Sequence, residues 1–278
     1  MFSRINAALY SKTLSGAHVF AQRAYLRSLR AMKERREFDT YFGARMCGNI
    51  GDYVQARIFS FGIWEPNLSR FMESKIGPET VAVDVGSHVG YFTLLMSKLA
   101  KKVIAIEPSP SNFEQLSRHV AMNGRSNVTL LNQAVAQSRG EMKLFNSVWG
   151  AGNTGNMSLI EPANSSGYTT VQTDTLLGAL GDDAANVSFI KIDIEAAERP
   201  VLEEIIANRE KFAKRLTIVS EVNDGNLDLV DRFLSAGFRC SVLDNSYNFE
   251  AYLSGRTEAP QPWNGVRHPS ADLIFERE

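Results

Sequence analysis

Cysteine, histidine and long apolar runs are all scarce in this 278-residue chain. Its 2 cysteines, Cys47 and Cys240, cannot build a disulfide framework and lack the close spacing of a zinc site. The 4 histidines, His18, His88, His119 and His268, are scattered, so no histidine stands near the candidate acids to complete a metal site. No apolar stretch approaches the roughly 18 residues of a membrane span. The N-terminal segment carries Arg4, Lys12, Arg23, Arg27 and Arg30 without an apolar h-region, so no secretory signal is expected and a cytoplasmic location is. A surplus of charge is missing too: 30 Lys and Arg against 31 Asp and Glu leave −1, which gives no electrostatic basis for general nucleic-acid binding. Hydrophobic residues at 44% and charged ones at 22% exclude disorder and collagen-like folds. What remains is a globular enzyme or binding protein.

The chain divides in character near residue 75. Residues 1–75 read as a helical N-terminal extension, with Val19, Leu26 and Leu29 on one stripe of a helix from Val19 to Arg36. Arg23, Arg27, Arg30, Lys33, Arg35 and Arg36 fill the rest of it. Such a basic helix is expected to be a solvated face that packs its thin apolar stripe on the main domain, with contact to acidic lipid or to a partner, homo-oligomerisation included, as the alternative. Residues 76–278 alternate strands and helices. Val81–Val85, Val103–Ile106, Asn127–Val135, Val187–Ile192 and Leu216–Val222 read as strands. Tyr91–Lys101, Phe113–Met122, Pro200–Asn208 and Leu227–Ala236 read as the helices between them. This is the signature of a doubly wound, mostly parallel α/β sheet. Phe238–Leu243 and Asp272–Glu276 are expected to close it as an antiparallel edge pair. Residues of about 141–172 interrupt the alternation as an insertion, and Asn146–Ser158 within it is the lid candidate.

In a doubly wound sheet, ligands sit beyond the carboxyl ends of the strands. The first such end reads Asp84-Val85-Gly86-Ser87-His88-Val89-Gly90. Only one of the three glycines of a dinucleotide fingerprint is in place, which counts against a nicotinamide oxidoreductase. A carboxylate at Asp84 suits a cationic ligand such as S-adenosylmethionine and repels a pyrophosphate. Gly86 and Gly90 let the backbone and the following helix approach closely. Glu107, 21 residues beyond Gly86, ends the second strand where an acid accepts ribose hydroxyls, and Pro108 stops the strand and aims it. Past the fourth strand stand Asp193, Glu195 and Glu198, and Glu221 ends the fifth. Asp193 is the first choice as base or substrate-orienting acid, with Glu195 second and Glu221 third. Together they would also offer oxygen ligands to a divalent metal, a reading not favoured without a neighbouring histidine. His88 is expected to bond backbone, with proton acceptance as the alternative. Glu65, in the apolar setting of Phe59, Phe61, Ile63 and Trp64, is a cofactor-side candidate, and Trp64 and Trp149 are possible substrate walls.

From about Gly62 to Phe275 the chain resembles the FkbM-type S-adenosylmethionine-dependent methyltransferases. The likeness rests on Gly62-Ile63-Trp64-Glu65-Pro66, on Val83 to Thr93, on Glu107-Pro108, on Gly152 to Leu159, and above all on Lys191-Ile192-Asp193-Ile194-Glu195-Ala196-Ala197-Glu198. The chain departs from the family pattern at Ala196, usually Gly, and at His88, usually Asn. The resemblance implies a seven-stranded Rossmann-like sheet and methyl transfer, typically to a hydroxyl of a sugar, glycan or secondary metabolite. It implies that Asp84 and Gly86 face the methionine part of the cofactor and Glu107 its ribose, with Asn132-Gln133-Ala134 beside adenine. A non-catalytic protein of the same fold would keep Asp84 and Glu107 but lose the acids around residue 193. A nucleic-acid methyltransferase would need a basic face for its flipped-base pocket.

Overall fold

A computed structural model of the protein describes residues 24–29, 31–32, 34–147, 157–161, 165–222, 224–245, 251–252, 255–266 and 271–278. Trp149, most of the lid candidate and most of the Gly152–Leu159 motif lie outside these residues, as does the start of the expected basic helix.

Residues 24–29 are helical, and their apolar stripe, Leu26 and Leu29, packs on Ile50 and Ala56. The helix does not run to Arg36 as the charge pattern suggests. Strand β1 (Arg35–Asp39) pairs antiparallel with β2 (Arg45–Asn49), and the turn between them passes through Gly43 at φ +84°. The hairpin sets Phe38 opposite Met46, and both are buried. Burial of that pair outweighs the weak helical pattern of a basic segment. The hairpin is no appendage: Phe38, Phe42 and Met46 join the same core cluster as Leu94, Leu95 and Val103.

Helix α1 (Tyr53–Phe61) starts on Asp52, whose carboxylate accepts from the Val54 and Gln55 amides, and stops at Gly62. Helix α2 (Pro66–Lys75) opens with Pro66, whose missing amide hydrogen is no loss in a first turn. The alternating part follows as β3 (Val81–Val85), α3 (Tyr91–Leu99), β4 (Lys102–Ile106), α4 (Pro110–Met122) and β5 (Val128–Leu131). A short β6 (Ala134–Val135) leads into β7 (Gly140–Ser147), β8 (Met157–Ser158) and β9 (Ser165–Asp174). Next come α5 (Leu176–Leu180), β10 (Val187–Ile192), α6 (Glu198–Ala207), β11 (Leu216–Glu221), α7 (Asp228–Ser235) and β12 (Arg239–Asp244). Strands β13 (Gln261–Pro262) and β14 (Ala271–Arg277) complete the chain.

The main sheet runs β13-β12-β14-β11-β10-β3-β4-β5. Neighbours from β11 to β5 are parallel, whereas β14 is antiparallel to both β11 and β12. The expected antiparallel edge pair is present as β12 and β14; β14 lies on the inner side, between β12 and β11, and its central residues Leu273, Ile274 and Phe275 are buried. The expected single strand Asn127–Val135 also splits. β5 stays in the main sheet, while β6 pairs with β9 in a separate sheet of order β6-β9-β7-β8. Alternation through β3 sends Val81, Val83 and Val85 into one core and Ala82 into the other. That is the two-faced burial of an open parallel sheet. The observed architecture is a Rossmann-like α/β fold whose crevice opens beyond the carboxyl ends of β3, β4, β10 and β11.

Candidate functional site

A cavity of about 330 Å³ lies at that end of the sheet. Gly86, Ser87 and His88 reach it from the tip of β3, and Glu107 and Pro108 from the tip of β4. Asp193 and Glu195 reach it from the tip of β10, Glu221 from the end of β11, and Glu65 from the junction of α1 and α2. Ala134 lines it too, so the structure brings together nine of the twelve residues named for the site from sequence. Asp84, Gly90 and Asn132 are not among the lining residues.

These three act from behind the wall. Asp84 is fully buried; Thr93 Oγ1 donates to its Oδ2 at 2.6 Å, and Lys191 Nζ stands 3.9 Å from its Oδ1. Burial pushes the Asp84 carboxyl up, while Lys191 and Thr93 favour its charged form. Gly90 adopts φ +92° at the start of α3, and a Cβ there would lie 2.6 Å from Leu116 Cδ1 of α4. It therefore serves helix packing. Asn132 Nδ2 donates to the carbonyls of Glu107, at 2.8 Å, and Pro108, at 3.2 Å, clamping the turn that aims Glu107.

Glu107 is held by backbone. The His88 amide donates to its Oε2 at 2.8 Å and the Ser109 amide to its Oε1 at 2.9 Å. Burial nevertheless dominates and pushes its carboxyl up to about 7. His88 is shifted the other way: burial lowers its imidazole below the usual range and favours the neutral ring. Gly86 has no room for a side chain. Its φ is +82°, and a Cβ would collide with the Asp193 carbonyl, 2.9 Å from the carbonyl carbon. The Asp193 amide in turn donates to the Val85 carbonyl at 3.0 Å, so the tips of β3 and β10 are joined here.

Four non-glycine residues have positive φ among the described residues: Glu65 (+43°), His88 (+50°), Glu195 (+51°) and Ala196 (+72°). Three of them line the cavity and the fourth follows Glu195. Such backbone costs roughly 1–3 kcal/mol per residue and collects at functional sites. The 194–196 turn is braced from both sides. Glu198 Oε1 accepts from the Ile194 amide at 3.3 Å and the Ala196 amide at 3.1 Å, while Ser158 Oγ donates to the Glu195 carbonyl at 2.6 Å. Glu198 thus works as the brace, and burial pushes its carboxyl up to about 7.

Electrostatically the cavity holds several acids around Lys191, whose side chain is 4% exposed. Its Nζ donates to Asp193 Oδ2 at 3.2 Å and lies 5.1 Å from the Phe92 ring centroid. Burial alone would lower its ammonium, but Asp193, Asp84 and Glu65 together raise it. Burial, with Asp193, Glu221 and Glu198 nearby, pushes Glu195 up to about 8. Sequence reading missed Asp272, which lines the cavity from β14 directly opposite Glu221 in the strand register. Burial and its acidic neighbours raise its carboxyl well above the usual range. Its only signal was the approach of two strands whose pairing the sequence does not announce. Tyr53, Trp64, Tyr91 and Phe92 supply an aromatic wall. Among the described residues no group of three or more His, Cys, Asp or Glu side chains is arranged to hold a metal ion, and no helix is long and apolar enough to cross a membrane.

Comparisons with known proteins complete the description. No curated protein matches the chain significantly. Among solved structures, an FkbM methyltransferase from Methylobacillus flagellatus is similar over 94% of this chain and 60% of its own, with 14% identity and a TM-score of 0.42. TYW2 of M. jannaschii, solved with AdoMet, is similar over 88% of each chain, with 14% identity and a TM-score of 0.46. A precorrin-6y C5,15-methyltransferase from Geobacter metallireducens covers 76% of this chain and 87% of its own, at 12% identity and a TM-score of 0.43. The model of the methyltransferase FkbM domain matches residues 84–240, more than half of the chain. That match starts at the tip of β3 and takes in the tips of β4, β10 and β11, so the chain belongs to the FkbM methyltransferase family.

Proposed function

We propose that the crevice binds S-adenosylmethionine and that the chain passes its methyl group to a hydroxyl of a sugar, glycan or related small molecule. The observation that carries this reading is the convergence on one cavity of a backbone-held acid at the tip of β4 and an acid-rich, strained turn at the tip of β10. The residues fit the cofactor. The Glu107 carboxylate, oriented by the His88 and Ser109 amides and by the Asn112 side chain, is the acceptor for the ribose hydroxyls. Pro108, Ala134 and Leu144 offer an apolar surface to a flat base, and the Gly86–His88 turn faces the amino-acid end. When bound, S-adenosylmethionine supplies an electrophilic methyl group on a cationic sulfur.

The chain's own residues do the rest. Asp193, anchored by Lys191, orients the acceptor hydroxyl with an oxygen whose direction is fixed. Glu195, pushed up to about 8 by burial and its acidic neighbours, takes the hydroxyl proton in its carboxylate form, which is the minor form at neutral pH and predominates above about pH 8. Sequence reading ranked Asp193 ahead of Glu195 for this task; the lysine contact favours the reverse assignment. Trp64, Tyr91 and Phe92 help keep water from the reacting atoms.

Calorimetry with S-adenosylmethionine tests the donor site: binding that Glu107→Ala weakens at least tenfold supports it, and unchanged affinity overturns it. Incubation with isotopically labelled donor and an extract tests the acceptor class. Label in an oxygen-linked methyl of a polyol is the expected product, and label on nitrogen or carbon overturns that class.

A further inference from the structure

Lys191 lies inside β10, yet its ammonium lines the cavity, 3.2 Å from Asp193 Oδ2 and 3.9 Å from Asp84 Oδ1. It is the one Lys or Arg among the described lining residues. Asp84 Oδ1 accepts no hydrogen bond among the described residues, so Lys191 is the group that faces it. Two acids from adjacent strands, one fully buried and one on the cavity wall, thus meet a single buried cation. We propose that Lys191 is the positioning residue of the methyl-transfer site, an internal counter-ion that seats Asp193 on the wall and leaves Glu195 as the group that exchanges a proton there. This rests on the methyltransferase reading of the cavity, but its electrostatic core is testable without the donor.

The charged and titratable surroundings are few enough to name. Asp84 faces Lys191 from β3, Asp193 from the tip of β10, and Glu65 from the junction of α1 and α2. Glu195 follows Asp193, Glu198 opens α6, Glu221 and Asp272 come from β11 and β14, Glu107 comes from the tip of β4, and His88 comes from the turn after β3. All of these groups other than His88 are acids. Without the ammonium each of them gains proton affinity, because among the described lining residues no other Lys or Arg offsets their mutual repulsion. Asp193, released from Lys191, would then compete with Glu195 for the same proton and lose its fixed direction. A role in packing alone, through the lysine stem against Phe92, would survive replacement by methionine.

The test follows Glu195 itself, by carbon NMR of full-length protein labelled at glutamate carboxyls, with the resonance assigned by its loss in Glu195→Gln. Lys191→Met strands Asp84 in the core, so the decisive variant is the double Asp84→Asn/Lys191→Met, which removes both buried charges. The Glu195 midpoint is expected to rise in the double variant, because Lys191 is the charge that holds the Glu195 carboxyl down and Asp84 is not among the acids named as pushing it up. Lys191→Arg, which keeps the charge, should restore the wild-type midpoint. An unmoved midpoint in the folded double variant overturns the proposal. Calorimetry with S-adenosylmethionine on wild-type protein separates the two ideas. Absent binding with a shifted midpoint removes the donor reading alone, and normal binding with an unshifted midpoint removes the role of Lys191 alone.

Discussion

Replacing Gly86 by alanine should damage both stability and donor binding, and three glycines allow the damage to be apportioned. Gly43, Gly90 and Gly86 have nearly the same φ, at +84°, +92° and +82°. An alanine at Gly43 meets nothing within 4 Å, so only the left-handed conformation is penalised, at about 1 kcal/mol. At Gly90 the new methyl falls 2.6 Å from Leu116 Cδ1, the end of a side chain able to rotate, which brings the cost to about 2 kcal/mol. At Gly86 it meets the backbone of Asp193, 2.9 Å from the carbonyl carbon, and lies 3.1 Å from Ile194 Cγ2. Carbon atoms rest about 3.5–4.0 Å apart, so the tips of β3 and β10 must separate by roughly 1 Å. Conformational penalty and overpacking together give about 3 kcal/mol. A displacement of that size at a reacting group is worth about 100-fold in turnover. Urea unfolding of the three variants should rank Gly43→Ala, Gly90→Ala and Gly86→Ala in increasing cost, and only the last should weaken S-adenosylmethionine affinity tenfold or more. A Gly86→Ala protein as stable as Gly43→Ala, with unchanged affinity, would refute the claim that the Asp193 backbone fills this space.

Three further outcomes are expected. Ala196→Gly should stabilise the protein by about 0.5–1 kcal/mol in urea unfolding, because it relieves a left-handed alanine at φ +72° that has only a methyl to lose; a loss of stability contradicts this. Asn132→Ala should cost about 1–2 kcal/mol and weaken donor affinity by calorimetry, since it unpins the carbonyls of Glu107 and Pro108; intact affinity would separate Asn132 from the site. Glu198, raised to about 7 by burial, keeps its proton in the folded state after the unfolded chain has lost it. Its contribution is therefore present below the ordinary glutamate range and is lost as pH climbs from about 4.5 to about 7, by at most about 3 kcal/mol. Glu198→Gln keeps an acceptor for the Ile194 and Ala196 amides and should flatten the fall of the melting temperature between pH 5 and pH 8. An unchanged slope would show that Glu198 does not titrate in that window.

The strands that carry the crevice were readable because buried parallel strands are short, continuous apolar runs. β3 and β10 have the bounds their composition predicts, Val81–Val85 and Val187–Ile192. The elements that misled are those decided by tertiary contacts. The Arg35–Asn49 hairpin offers one buried side chain per strand face against a background of basic residues, so its pairing of Phe38 with Met46 is invisible locally. The break between β5 and β6 falls at Asn132-Gln133, an ordinary pair, and exists because Asn132 turns back to hold the β4 tip. The insertion of β14 between β11 and β12 depends on pairing across the whole last quarter of the chain, and Asp272 enters the site only through it.

The placement of the acids follows a rule of parallel sheets that explains why one of them was misjudged. Side chains within a strand point alternately to the two faces, so an acid inside the ladder is directed at a helix layer and away from the crevice. Asp84 is such a residue: it precedes Val85, shares a face with Ala82 and ends beneath Lys191. Residues at the last ladder pair or just beyond it are free of that constraint. Glu107 comes one residue after β4, Asp193 and Glu195 come one and three after β10, and Glu221 is the final residue of β11. All of them line the cavity. The antiparallel β14 reverses the rule, so its second residue, Asp272, is the one that arrives at the same rim. Lys191 is inside the ladder as well, and it reaches the cavity only because its stem is long enough to pass Phe92. The negative character of the crevice is thus a property of strand ends, set by where each ladder stops, while Asp84, one residue short of the end of its ladder, is buried 3.9 Å from Lys191, the one Lys or Arg among the described lining residues.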